Sequence, residues 1–355
     1  MDPIQGRRFE NEFNLQWHIT NKCNNSCKHC YINKKSSNLD ELSLSESFKV
    51  IDDLVQFSEL INLIPSISFT GGDPLLKKDI NNLLAYANQN KVKIVMLGNA
   101  SLLNKKNLEM LKKNNVSKYQ LSFDGLKDTH DFIRGKGSFD ENLEGIIKLR
   151  SHDIPVMIMS TVSKINYLDI PELIEFLVPR DILVFDFARL VPIGQGKRIK
   201  EECFKPFEYK TFLLQVYSVY KKLKNQGFDI NTFGFKDPLW SLFFYELNKE
   251  NPSFLNQIPQ DKKIYGGCSI GRNGFCMEPD GTLYACRRLS EPIGNIKETS
   301  IRNFFISSEE MNKYREIHKI KACSDCEIIS LCRGCRAVAW SENKNYFERD
   351  PQCWK

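Results

Sequence analysis

Between Phe13 and Leu190 the chain alternates short apolar strands with helical segments six times, and few folds accommodate that. Phe13, Leu15, Trp17 and Ile19 interleave with Asn14, Gln16, His18 and Thr20, the period-two pattern of a strand. The same reading predicts strands at Ser66–Thr70, Val92–Leu97, Lys118–Asp124, Pro155–Val162 and Ile182–Leu190. Helices are predicted near Lys77–Gln89, Lys105–Asn114, Asp140–Ser151, Ile170–Val178 and Phe207–Lys224. Strict alternation means parallel strands joined by right-handed crossovers. Six units rather than eight suggest an α/β fold of the partial (β/α)6 TIM-like barrel type, open at the side. Periodicity alone does not separate this from a doubly wound sheet. In such barrels the chemistry sits on loops after the strand C-termini.

Cys23, Cys27 and Cys30 occupy the first of those loops, within Thr20–Tyr31, TNKCNNSCKHCY. Thiolates are soft ligands suited to zinc or iron–sulfur clusters. A C-x3-C-x2-C triad leaves one metal of a four-metal cluster without a protein ligand, and an open position is where substrate chemistry can happen. A zinc knuckle with a distant fourth ligand is the alternative. The loop resembles that of the radical S-adenosylmethionine (SAM) enzymes. That resemblance implies a partial barrel and a [4Fe-4S] cluster whose open iron chelates the amino and carboxylate groups of SAM. One electron then cleaves SAM to a 5′-deoxyadenosyl radical, which makes Cys23, Cys27 and Cys30 both metal ligands and the catalytic set.

Other motifs follow the strands. Gly71-Gly72-Asp73-Pro74 comes directly after the second strand, and glycines let a backbone approach a ligand closely. The resemblance assigns this loop to the SAM amino group, although the family more often has Glu at the position of Asp73. Gln120, Ser122 and Asp124 share one face of the fourth strand, opposite Tyr119, Leu121 and Phe123, and so line the cavity. With His130-Asp131-Phe132-Ile133-Arg134-Gly135 they resemble a pattern of one radical SAM subgroup, in which the serine and arginine reach SAM. Ser122 and Arg134 inherit those roles. For Asp124 and His130 a helix cap and a loop hydrogen bond are equally good readings. Arg189–Gly196 looks like a further cavity rim.

Eight more cysteines fall near the C-terminus: Cys268, Cys276, Cys286, Cys323, Cys326, Cys332, Cys335 and Cys353. Their spacing resembles the SPASM extension of many radical SAM enzymes, with two residues between Cys332 and Cys335 where the pattern usually has three. Eight ligands suffice for two fully protein-ligated four-iron clusters; paired C-x2-C zinc sites are the alternative. The resemblance implies an inner cluster on Cys268, Cys276, Cys286 and Cys335 and an outer one on Cys323, Cys326, Cys332 and Cys353, so three clusters in all. Of the 12 cysteines one is left, Cys203. Its bland reading is a partly buried small side chain; the sharper one is a thiol hydrogen donor, as in peptide epimerases.

The 355 residues are divided into a lead-in (1–11), the barrel (12–204), a last barrel helix with a bridging region (205–262) and the cysteine-rich C-terminal iron–sulfur domain (263–355). Hydrophobic residues make up 41% and charged residues 26%, an ordinary globular balance. The net charge of +6 is spread over doublets such as Lys34–Lys35 and Lys221–Lys222, which argues against nucleic-acid binding. It still suits an acidic partner, and the expected electron donor is a flavodoxin or ferredoxin. No secretory signal or membrane span is visible, so the expected location is cytoplasmic.

Proteins of the family that this chain resembles act mostly on peptides. The expected function is therefore modification of a ribosomally made precursor peptide, by oxidative cross-linking, with the auxiliary clusters taking up an electron. Only a dozen residues precede the first strand, so leader recognition would need a separate protein or the barrel surface. Arg287 and Arg288 follow Cys286, where sulfatase-maturing relatives have an Asp base; a permanently cationic side chain cannot be that base. The alternatives are oxidation of a small molecule or tetrapyrrole, peptide epimerisation, or an electron-transfer or zinc-binding module that never cleaves SAM.

Overall fold

The computed structural model describes residues 11–32, 40–261 and 263–355. The lead-in up to residue 10 and the Lys34–Lys35 doublet lie outside them. Strand β1 (Glu12–His18) is followed by α1 (Leu44–Leu60), β2 (Ile64–Thr70), α2 (Ile80–Gln89), β3 (Lys93–Leu97) and α3 (Lys105–Lys113). Next come β4 (Lys118–Ser122), α4 (Lys127–Arg134), α5 (Ser138–Arg150), β5 (Val156–Val162), α6 (Ile170–Leu177), β6 (Val184–Arg189) and α7 (Pro206–Asn225). The six strands pair in chain order and in parallel, as the alternation predicts.

Strand parity divides the side chains as a barrel requires. Phe13 packs edge-on against Phe57 of α1, and Phe187 against Phe212 of α7. Those aromatic residues are fully buried between sheet and helices, where area burial stabilises most. The opposite face is polar: Asn14 on β1 donates to Ser66 and Ser68 on β2. Two helices absent from the sequence reading appear. Helix α1 fills the first crossover and starts with a capping box, Ser43 with Glu46. Helix α4 covers Lys127–Arg134, the stretch read as loop, so Arg134 projects from a helix C-terminus.

The C-terminal region begins by extending the barrel sheet. After α8 (Leu239–Asn248) and α9 (Pro252–Leu255), β7 (Gly274–Met277) joins β1 in parallel, with Gln16 opposite Cys276. Strands β8 (Thr282–Tyr284) and β9 (Pro292–Asn295) continue it antiparallel, giving the order β6-β5-β4-β3-β2-β1-β7-β8-β9. Helices α10 (Glu309–Lys313) and α11 (Arg336–Asn343) follow. No described helix is long and apolar enough to cross a membrane.

Candidate active site

The loop carrying Cys23, Cys27 and Cys30 leaves β1 and is held in shape by two other loops and the end of α4. Gly72 and Asp73 donate backbone N–H groups to Thr20 and Lys22 carbonyls, Lys28 donates to Ile133 O, and Gln195 to Cys30 O, all at 2.8–3.0 Å. Two glycines permit this closeness. Gly71 sits at φ +139° and a Cβ there would lie 2.2 Å from Thr20 O; Gly194, at φ +56°, would meet Tyr31 O at 2.3 Å. The backbone that Gly71 and Gly72 admit is thus the chain's own.

Asp73 is also committed internally. It is fully buried, and its carboxylate accepts from Leu75 N (2.8 Å) and Asn99 N (2.6 Å). Burial pushes this carboxyl up to about 6 against the pull of those amides. Asp73 therefore ties the β2 and β3 loops together, whereas the cleft beside the cysteine loop is lined by Ser122 and Arg134. That cleft, of about 260 Å³, also has Asn25, Gly98, Asn99 and Asn142 on its walls.

Arg134 bridges the cleft and the thiols. Its Nε donates to Asp124 Oδ2 (2.5 Å) and its Nη1 to Cys27 Sγ (3.7 Å). Asp124 also meets His29 Nε2 at 2.7 Å and accepts from Thr161 N. Burial opposes ionisation of Asp124, yet Arg134 and His29 hold its carboxyl well below the usual range. His130 is buried and accepts from Asp124 N, so the loop-bonding reading fits both residues; the helix-cap reading does not, because the α4 N-cap is Leu126. Sequence reasoning missed His29 and Asn99, whose Nδ2 lies 3.6 Å from Cys23 Sγ. The position of His29 inside the triad was the available signal.

The eight C-terminal cysteines gather in two places. Cys323, Cys326, Cys332 and Cys353 line one cavity of about 310 Å³ with Leu239, Leu242 and Ile328. Cys268, Cys286 and Cys335 lie close enough to Arg288 to act on its charge, and Cys286 close enough to act on Cys276. All 12 cysteines are free thiols. Among the described residues no three His, Cys, Asp or Glu side chains close on one metal ion; a four-iron cube spaces its ligands more widely than a single ion does. Both groups adjoin the barrel. Arg189, buried at the end of β6, pairs with Asp237 and, through two nitrogens, with Asp350, and Asp350 in turn accepts from Cys335 N. At Arg189 the expected rim is therefore a joint, while Gly194 and Gln195 meet the cysteine loop. Cys203 lies apart, half-buried beside Lys200 and Glu342, its thiol pushed up to about 11 mainly by burial.

Residues 17–177 match the model of the radical SAM superfamily, and residues 268–336 that of an iron–sulfur cluster-binding domain, SPASM. The chain is 30% identical over 352 residues to the Fe-coproporphyrin III synthase of Methanosarcina barkeri, covering 95% of this chain and 86% of that one. It belongs to the radical SAM superfamily. This radical SAM enzyme is also 29% identical over 348 residues to the AdoMet-dependent heme synthase of the same organism, covering 96% and 95% of the two chains. Among solved structures, Streptococcus suis SuiB bound to precursor peptide SuiA superposes with a TM-score of 0.77 over 97% of this chain and 76% of that one, at 18% identity. SAM binding and iron–sulfur clusters accord with both matched domains.

Proposed function

We propose that this radical SAM enzyme acts on an iron tetrapyrrole bearing carboxylate side chains. The observation that carries the reading is the near full-length similarity to two tetrapyrrole synthases. It replaces the peptide substrate expected from the sequence, whose structural support, SuiB, reaches only the fold at 18% identity. Cys23, Cys27 and Cys30 would hold the SAM-binding cluster. SAM would lie along the cleft of Ser122 and Arg134, with the Gly71–Pro74 loop bracing the cysteines from behind. Together, cluster and SAM supply hydrogen-atom abstraction. Cys268, Cys276, Cys286 and Cys335, and Cys323, Cys326, Cys332 and Cys353, would hold two auxiliary clusters.

The residues fit these groups. On the cysteine loop, Cys23 accepts from Asn25 N and Asn99 Nδ2 and Cys27 from Arg134 Nη1, donors that suit sulfur carrying negative charge. Asp124 holds Arg134 and His29 at fixed angles beneath that loop. The test is anaerobic incubation of the reconstituted enzyme with SAM, dithionite and Fe-coproporphyrin III, followed by mass spectrometry. A SAM-dependent mass change confined to the tetrapyrrole side chains is expected. An unaltered tetrapyrrole, with SAM cleavage stimulated by a peptide instead, would overturn the reading.

A further inference from the structure

Arg287 stands between the two cysteine regions without a carboxylate of its own. It follows Cys286, and its guanidinium lies over the ring of Tyr31, the residue after Cys30, at 4.3 Å. Its Nη1 reaches Thr70 Oγ1 at 3.3 Å and His18 Nε2 at 3.5 Å, both long for hydrogen bonds. Two other arginines near the site are better served, whereas Arg288 has, among the described residues, only the Arg189 carbonyl as a hydrogen-bond partner. Arg134 pairs with Asp124, and Arg189 with Asp237 and Asp350. Among the described residues no carboxylate forms an ion pair with Arg287.

Its neighbours do not neutralise it. His18 Nε2 is already hydrogen-bonded to the Tyr31 hydroxyl at 2.9 Å. Glu278 sits on the far side of that ring, 3.2 Å from Nδ1, and forms no ion pair with Arg287. A half-buried guanidinium with five donors, two of them weakly engaged, is costly to leave unpaired. The polar faces of β1 and β2 present Thr70 and His18 to it, and the thiols of Cys30 and Cys276 are among the other groups on which its charge acts.

We propose that Arg287 anchors a carboxylate side chain of the substrate, holding it between the Tyr31 ring and the Cys276–Cys286 hairpin. The choice of ligand rests on the tetrapyrrole reading above, since coproporphyrin side chains end in carboxylates. The planar fork of an arginine binds such a group through two parallel hydrogen bonds, which fixes orientation as well as position. His18 and Tyr31 then act as positioning residues, and the cation occupies the place where a base would serve a different reaction.

The test is equilibrium binding of Fe-coproporphyrin III, followed by its absorbance, to the reconstituted enzyme without reductant. Arg287→Gln should weaken binding about 10–100-fold and Arg287→Lys by less, as expected for loss of a charge-assisted pair. The tetramethyl ester of the same tetrapyrrole should bind the native protein as weakly as the acid binds Arg287→Gln. Iron content and melting temperature report whether each variant is folded; if Arg287→Gln does not load iron, the ester on native protein decides. Equal binding of acid and ester, or of native and folded Arg287→Gln protein, overturns the role of Arg287 alone. Native protein that ignores Fe-coproporphyrin III overturns the tetrapyrrole reading, and this proposal with it.

Discussion

The amino-terminal loop carries three thiols within eight residues beside an open cleft, whereas the C-terminal region spreads eight thiols from Cys268 to Cys353 through strands, turns and a helix start. The first set needs outside support, because so short a loop has no core. It receives that support from backbone contacts after β2, α4 and β6. The second set is embedded: Cys276, Cys332 and Cys335 are buried, and their surroundings are packed against the barrel through Arg189 and Asp350. On the proposed assignment, the site that admits SAM is braced from behind, and the auxiliary sites are more deeply set. An open metal position serves chemistry, and full protein ligation leaves electron transfer.

The sharpest way to break this comparison is to delete each set in turn. The Cys23→Ala/Cys27→Ala/Cys30→Ala variant should release no 5′-deoxyadenosine from SAM and dithionite, while Cys323→Ala keeps measurable release and loses product. Release equal to native by the triple variant would end the division of labour. Iron analysis of native protein should approach about 12 atoms for three four-iron clusters, and about four atoms with two zincs would remove the auxiliary pair.

A smaller effect tests the joint. Arg189→Met leaves the buried Asp237 and Asp350 without their cation and should destabilise the fold by about 3–5 kcal/mol in denaturant. Iron should be lost mainly from the C-terminal sites. Unchanged stability would mean that the two regions are held together by other contacts.

Asp73 offers a pH test of the brace. Its folded-state pKa, about 6, lies above the unfolded value, so the folded protein binds the extra proton. Its contribution to stability is present at low pH and declines as pH rises from about 4 to about 6. Asp73→Asn should flatten that decline, which is worth about 3 kcal/mol for a shift of this size. A stability profile identical to native across that window would show that the carboxyl is not perturbed in this way. The least effect is expected at Cys203, which lies away from both sets: Cys203→Ala should keep iron content, SAM cleavage and product. Product lost in that variant, with deuterium from solvent appearing in native product, would instead support the epimerase alternative.

Strand positions were readable because a barrel strand buries one face against helices and shows the other to a cavity, which writes period two into Phe13–Thr20 and Gln120–Asp124. Boundaries shifted by a few residues at ends where the last side chains no longer pack. Helix α1, absent from the sequence reading, has its signal in the Ser43–Glu46 capping box and the apolar stripe of Val50, Ile51, Leu54 and Phe57. The apolar spacing in Lys127–Arg134 was too short to separate from loop. Ser122 and Arg134 line the cleft; the carboxylate of Asp73 is a buried strut, held by the neighbouring Leu75 amide and by the amide of Asn99, which only folding brings to it.

From the sequence alone came the kinds of ligand, their grouping along the chain and the alternation that makes a parallel barrel, because each is written in local spacing. Tertiary structure decided which thiols face one another, that β7 completes the barrel edge at β1, and that Arg287 meets Tyr31. Those contacts join residues up to more than two hundred positions apart. No local pattern encodes them; they exist only once the apolar faces of strands and helices have packed and brought distant polar groups to the same place.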